Sequence, residues 1–262
     1  MQEQWLKDKC LVIIGGTTGI GLSAARAFID HGANVVAIGR NQESAKNASN
    51  ILKTAIVETG DASREGTATK AIQRCIKAFG RFDGLYHVAG GSGRKLGDGP
   101  LHELTLEGWE QTFSLNLTSL MLSNQAAVKI FLRQKTSGSI LNMGSVLGYS
   151  PSPNYFVTHA YAAAKSAAIG FTKSIAAYYA RHNIRINLLA PALVETPMAQ
   201  RAANDEKILS FIKTKQPLDG GRIGLPTDLD GAALYFLSDY SKFTTGQVLS
   251  VDGGWAISEG QY

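Results

Sequence analysis

A doubly wound α/β fold, with a parallel seven-stranded sheet between two layers of helices, is what this sequence predicts, and three observations lead to it. Short apolar runs rich in Val, Ile and Leu recur without polar alternation, as strands buried on both faces require. Segments with helical spacing stand between them, and such alternation of strand and helix builds a parallel sheet. The first apolar run passes through a cluster of glycines directly into a helix. No linker, repeat or low-complexity tract breaks the pattern, so residues 1–262 read as a single domain.

Residues 10–14 are the first expected strand. Gly15, Gly16, Thr17, Thr18, Gly19, Ile20 and Gly21 follow, and Leu22, Ala25, Phe28 and Ile29 then recur at helical spacing. Glycines let the backbone turn tightly and approach a phosphate, while a new helix offers free N–H groups and a partial positive charge. Gly15, Thr17, Thr18, Gly19, Ile20 and Gly21 are therefore candidate nucleotide-binding residues. Their Gly-x-x-x-Gly-x-Gly spacing differs from the common Gly-x-Gly-x-x-Gly fingerprint. Residues 34–38 are the second strand, ending at Gly39 and Arg40. In dinucleotide folds an acidic residue here grips a ribose 2′-hydroxyl, whereas an Arg accepts a 2′-phosphate. Gly39 stands where the acid is expected and Arg40 comes next, so NADP(H) is favoured, with NAD(H) as the alternative.

The third strand, residues 54–57, leads to Asp61 and Ser63, either of which is expected to cap a helix bearing Ala68, Ala71, Ile72, Cys75, Ile76 and Phe79 on one face. Residues 84–88 are the fourth strand, opening into Ala89, Gly90 and Gly91. The glycine-rich, charged residues 92–100 read as a loop at the sheet edge, with Arg94 and Lys95 solvated. From 105 to 133 the pattern is helical, in one piece or two. Asn116 lies within it among Phe113, Leu117 and Leu120, where a polar amide must be satisfied. The fifth strand, 139–143, leads to Ser145, and the proline-broken residues 147–159 offer Tyr155 and Phe156 to a pocket wall. A long Ala-rich helix spans 161–181, and the sixth strand, 184–189, stops before Pro191. Residues 192–222 read as a substrate lid with Leu209, Phe211 and Ile212 as its apolar side. Pro226 opens a last helix through Leu237, and residues 247–251 are the seventh strand.

Tyr161 and Lys165 stand one helical turn apart, so phenol and ammonium point into one space. A free phenol titrates near ~10, and a nearby positive charge favours phenolate. Lys165 is therefore expected to lower the Tyr161 pKa. Ser145, just past a strand end, is placed to hydrogen-bond a carbonyl or alcohol oxygen.

A hydrophobic share of 44% and a charged share of 18% describe an ordinary globular chain with core to spare. The net charge of +5 is scattered, with no basic run of the kind that tracks a phosphate backbone, which argues against a nucleic-acid partner. No apolar run is long enough for a membrane span, and residues 1–5 lack the features of a signal peptide. Two cysteines, Cys10 and Cys75, suit a reducing compartment and offer no metal-ligand spacing, so a cytoplasmic protein without a metal is expected.

Taken in this order over nearly the whole chain, these motifs resemble the short-chain dehydrogenase/reductase family. The glycine motif matches Gly15 to Gly21, and the catalytic Ser, Tyr and Lys match Ser145, Tyr161 and Lys165. The resemblance implies a single NAD(P)-binding Rossmann-type domain in which Asp61 meets the adenine. It further implies that Asn116 holds a structural water and the active-site Lys. Ala62, Ala89, Gly90 and Pro191 would line the cofactor, and Val194 and Thr196 would meet the nicotinamide carboxamide. Tyr161 and Lys165 would hold its ribose. Residues 245–247 and 252–254 resemble the family's ending. The chain departs from the pattern at Ile14 for a Thr, at His87 and Val88 for two Asn, and at Ala192 for a Gly. The interval from Ser145 to Tyr161 is a few residues longer than usual.

The reading is thus an NADP(H)-preferring oxidoreductase that interconverts a small-molecule carbonyl and alcohol. Its alternative is a catalytically silent nucleotide-binding scaffold or redox sensor of the same fold. The resemblance also implies a homotetramer, or a homodimer, packed through the helices at 105–133 and 161–181.

Overall fold

The computed structural model describes residues 4–260, so residues 1–3 of the segment weighed above as a signal peptide lie outside the described residues. Seven strands form one sheet: β1 (Cys10–Ile14), β2 (Asn34–Gly39), β3 (Ile56–Thr59), β4 (Gly84–His87), β5 (Gly138–Met143), β6 (Ile184–Pro191) and β7 (Val248–Val251). Every pairing is parallel, in the order β3-β2-β1-β4-β5-β6-β7. The winding reverses between β1 and β4, and the carboxyl ends of strands at such a switch open a ligand crevice.

The helices are α1 (Gly19–Asp30), α2 (Gln42–Leu52), α3 (Thr67–Phe79), α4 (Leu106–Phe113), α5 (Ser119–Gln134), α6 (His159–Tyr179), α7 (Gln200–Ala203), α8 (Glu206–Lys215) and α9 (Asp230–Leu237). Side chains alternate across the sheet, so Leu11 and Ile13 join the core under α1 and α9, while Val12 and Ile14 join the one under α3, α5 and α6. Each fully buried Leu or Ile contributes about 1.5–3 kcal/mol of hydrophobic stabilisation, and both layers are lined with them. Among the described residues no helix is long and apolar enough to cross a membrane. Cys10 and Cys75 are free and buried, and burial pushes the Cys75 thiol up to about 12.

Several elements differ from the sequence reading. Helix α2 was not expected because its buried residues Ala45, Ala48 and Leu52 are mostly small, which leaves a weak apolar stripe. Asn41 starts it by accepting the Ser44 amide at 3.0 Å. Neither Asp61 nor Ser63 caps α3. Asp61 instead accepts from the Ser63 amide and hydroxyl, and α3 begins after Gly66, held in the left-handed region. The stretch at 105–133 is indeed in two α-helical pieces, joined by a π-turn over Ser114–Thr118. Residues 192–222 carry α7 and α8, and a 3₁₀ turn over Pro226–Leu229 precedes α9. At the departure in β4, buried His87 meets the hydroxyls of Ser123 at 3.0 Å and Ser119 at 3.4 Å. Burial, aided by the Lys165 charge, pulls its pKa to about 3, so the ring is neutral.

A partly buried polar contact ties α9 to α1: Ser23 Oγ donates to Asp230 Oδ2 at 2.7 Å. The other Asp230 oxygen and the Tyr86 hydroxyl are buried without a hydrogen-bond partner. Desolvation raises the Asp230 pKa from 3.8 to about 6. The protonated acid favours the fold, so its contribution is complete below pH ~4 and is lost as pH rises through about 6. Denaturant melts at pH 5 and pH 7.5 should show this loss in the native chain and a smaller one in Asp230→Asn. An equal loss in both proteins would assign the effect elsewhere.

Candidate active site

The glycine turn is built by close approach. Gly15 takes φ +94°, and a Cβ there would lie 2.6 Å from the Ala89 nitrogen, so the turns after β1 and β4 touch. Gly21 lies against the Gly15 carbonyl, and Gly19 against the methyl of Thr196, which brings the segment after β6 to the same place. Helix α1 starts at Gly19, and exposed Thr18 makes no side-chain cap, so the first amides of α1 are left for a ligand; Ile20 is partly buried beside them. Thr17 is different. Its side chain is buried, turned to Ser44 Oγ at 3.3 Å and over Gly39, where a Cβ would meet its hydroxyl at 1.9 Å. With the side chain so placed, Thr17 offers its backbone to a nucleotide, and a side chain at residue 39 would have to displace it.

Arg40 is exposed at the end of β2 and acts on Asp61 through its charge. The Ser63 hydrogen bond does most to hold the Asp61 carboxyl below its ordinary value, and Arg40 and Arg64 add to it. Ala62 is partly buried against the core cluster that includes Val36 and Ile38. At the other end, Pro191 closes β6, Val194 is buried and bridges to Gly224, and the Thr196 hydroxyl donates to the Val194 carbonyl at 3.3 Å.

Ser145, Tyr161 and Lys165 come together between β5 and α6. Ser145 follows β5 in extended conformation, and its Oγ accepts the Leu147 amide at 3.2 Å. Its hydroxyl also lies near enough to the Tyr161 phenol to favour the ionised form. Lys165 is buried, and its Nζ donates to the Met143 carbonyl at 2.9 Å. That ammonium lies 5.6 Å from the Tyr161 ring centroid, over the ring. The expected lowering of the Tyr161 pKa is not seen. Burial is the larger effect and raises the phenol above its ordinary value, with the Ser145 hydrogen bond opposing it. Burial also pulls Lys165 down to about 8.

Asn116 sits in the π-turn, an irregularity often found at functional sites. Its amide is fully used: Nδ2 donates to Gly91 O and Thr112 O, both at 2.9 Å, and Oδ1 accepts the Gly91 amide at 3.0 Å. It therefore clamps the turn after β4. A Cβ on Gly90 would lie 2.7 Å from Asn116 Oδ1 and 3.5 Å from Lys165 Nζ, which puts Gly90 between the two.

Asp98 is a site residue that sequence reasoning left in a solvated loop. It is buried, and its carboxylate accepts the Ala160 amide on Oδ1 and the Tyr161 amide on Oδ2, both at 2.9 Å. Helix α6 has no side-chain cap of its own from Thr158, so Asp98 caps it from 62 residues away. A local reading sees only an acid between Gly97 and Gly99. The segments read as pocket wall and lid pack on one another through Tyr155 on Phe211 (4.9 Å between ring centres), Phe211 on Trp255 (5.8 Å) and Phe156 on Trp255 (5.7 Å). Ile212 is buried, whereas Leu209, expected on the inner face of the lid, is 37% exposed.

Removing the Asp98 carboxylate leaves two buried amides unpaired and frees the backbone of Tyr161. Asp98→Ala should cost about 1–2 kcal/mol in urea melts, the range for a lost helix cap. Turnover should fall while cofactor affinity holds; a stability loss with unchanged turnover would limit Asp98 to a structural role.

A family model described as Enoyl-(Acyl carrier protein) reductase matches residues 15–256. The chain is 34% identical over 259 residues to the 3-oxoacyl-[acyl-carrier-protein] reductase FabG of Chlamydia muridarum, covering 96% of this chain and 98% of that one. It is 33% identical over 253 residues to a 2,5-dichloro-2,5-cyclohexadiene-1,4-diol dehydrogenase of Sphingobium indicum, covering 95% and 98%. Among solved structures, a short-chain type dehydrogenase/reductase from Mycobacterium ulcerans superposes with a TM-score of 0.88 at 27% identity, over 97% of this chain and 91% of that one.

Proposed function

The chain belongs to the short-chain dehydrogenase/reductase family, and from that premise we propose a mechanism, a cofactor preference and an assembly for it. It is an NAD(P)-dependent oxidoreductase acting on CH–OH and C=O groups. Nothing favours the silent scaffold, since Ser145, Tyr161 and Lys165 are all present.

The observation that supports the mechanism best is the meeting of Ser145 with Tyr161 beside the buried Lys165. The close approaches of Gly15, Gly19 and Gly90 leave backbone where side chains would otherwise block a nucleotide, so these residues fit the cofactor. When bound, the nicotinamide supplies or takes the hydride. Ser145 orients the reacting oxygen, and Tyr161 gives or takes its proton. A phenol held protonated by burial suits the acid's role in reduction. Lys165 would hold the nicotinamide ribose, and its charge favours the phenolate once Tyr161 has given its proton. Asn116, through its clamp on Gly91, keeps the turn beside Lys165 in place for proton exchange with solvent. Tyr161→Phe should abolish carbonyl reduction while leaving cofactor binding intact; activity retained in that variant would refute the assignment.

The preference for NADP(H) rests on Arg40 and on Gly39, where the acid that would select NAD(H) would have to displace Thr17. A charge-assisted phosphate contact is worth about 1.5–3 kcal/mol, roughly ten- to a hundredfold in affinity. Arg40→Ala should therefore raise the KM for NADPH at least tenfold and move that for NADH little. Equal changes for both cofactors would deny Arg40 the phosphate role.

The proposed assembly is a homotetramer, or a homodimer, through α5 and α6. The open face at Gly170 and the exposed Tyr178 and Leu132 support it. A cytoplasmic location is in keeping with the two free cysteines.

A further inference from the structure

Two guanidinium groups converge on one neutral oxygen beside the catalytic helix. Arg94 Nη2 donates to the Tyr155 carbonyl at 3.2 Å, and Arg201 Nη2 donates to the same oxygen at 3.1 Å. Three separate segments supply them: Arg94 lies in the turn after β4, Tyr155 precedes α6, and Arg201 belongs to α7 of the lid. Arg94 is partly buried, and burial first and the Arg201 charge second pull its pKa down. The two cations therefore repel one another.

No carboxylate among the described residues pairs with either. Asp98 acts on Arg94 through its charge, but its oxygens already receive the Ala160 and Tyr161 amides. A guanidinium has five N–H donors in a planar fork, and each of these uses only one on protein. A paired fork of this kind, with donors to spare, matches the geometry of a carboxylate or a phosphate. A strap that only held the lid would need one Arg on the carbonyl, and the second adds repulsion. Arg94 stands three residues beyond Gly91, which Asn116 clamps, and the Asp98 that caps α6 at Tyr161 also acts on Arg94 through its charge, so the fork lies on the side of the N-terminal turn of α6.

We infer that Arg94 and Arg201 form an anion site for a carboxylate or phosphate carried by the substrate away from its reacting carbonyl. This deepens, and rests on, the reading of the chain as a carbonyl–alcohol oxidoreductase. It reverses the assignment of Arg94 to a solvated loop.

The test has a binding arm and a kinetic arm, in the native chain and in Arg94→Gln and Arg201→Gln. With NADP⁺ saturating, so that the cofactor site is filled, inorganic phosphate and acetoacetate are each titrated by NMR. Saturable binding of one or both, weakened at least tenfold in either variant, is expected. In the kinetic arm, acetoacetate is compared with methyl acetoacetate, and acetoacetyl-CoA with the neutral S-acetoacetyl-N-acetylcysteamine. The ratio of kcat/KM for the charged to the neutral member should fall at least tenfold, through KM, in one pair. The pair that responds distinguishes carboxylate from phosphate. Absence of anion binding in the native chain overturns the site, as does an equal loss on charged and neutral members, which would make the arginines a strap for Tyr155. Failure of the oxidoreductase reading would look different: neither neutral compound would be turned over, whatever the anions do.

Discussion

The hydrogen bond from Lys165 to the Met143 carbonyl is the contact on which the site's geometry depends. A buried ammonium is costly unless it is hydrogen-bonded, and this one is bound to the end of β5. The bond fixes how far along the sheet α6 sits, and with it the place of Tyr161, one turn earlier. Ser145 leaves β5 two residues beyond the same carbonyl, so the strand end that receives the lysine also aims the serine. Asp98 holds the helix from its other side by taking the two amides nearest the phenol. The first turns of α6 are thus held by polar contacts to the end of β5 and to the loop that carries Asp98.

Around that helix, absence of side chains does as much as their presence. The turns after β1 and β4 touch because Gly15 has no Cβ, and Gly90 lets Asn116 and Lys165 approach on either side. Small residues draw three loops to the carboxyl edge of the sheet. Larger ones, Tyr155, Phe156, Phe211 and Trp255, build the apolar wall beyond them. Hydride transfer between a nicotinamide and a carbon needs both regions, a polar turn for phosphates and a dry wall at the reacting end. The arginine fork stands at the border between wall and lid.

Much of this was legible in the chain because the signals are local. Unbroken apolar runs marked the strands, since strands covered on both faces carry no polar alternation. The turn at Gly15 to Gly21 and the pair Tyr161 and Lys165 were legible for the same reason: each is a spacing within one turn or one helix. Helix α2 escaped because Ala45 and Ala48 bury small side chains that leave little contrast with their neighbours. The reading of Thr17 changed because a buried threonine and an exposed one look alike in sequence.

The sequence by itself determined the seven strands and most of the helices between them, the spacing of Ser145, Tyr161 and Lys165, and the absence of an acid after β2, because all of these are residue identities or short spacings. The tertiary structure decided what depends on groups far apart in the chain. It gave Asp98 to the amides of α6, bound Lys165 to the Met143 carbonyl, and set Arg94 and Arg201 on one carbonyl. It also reversed the expected pKa of Tyr161, for burial is a property of the whole fold and here outweighs the neighbours.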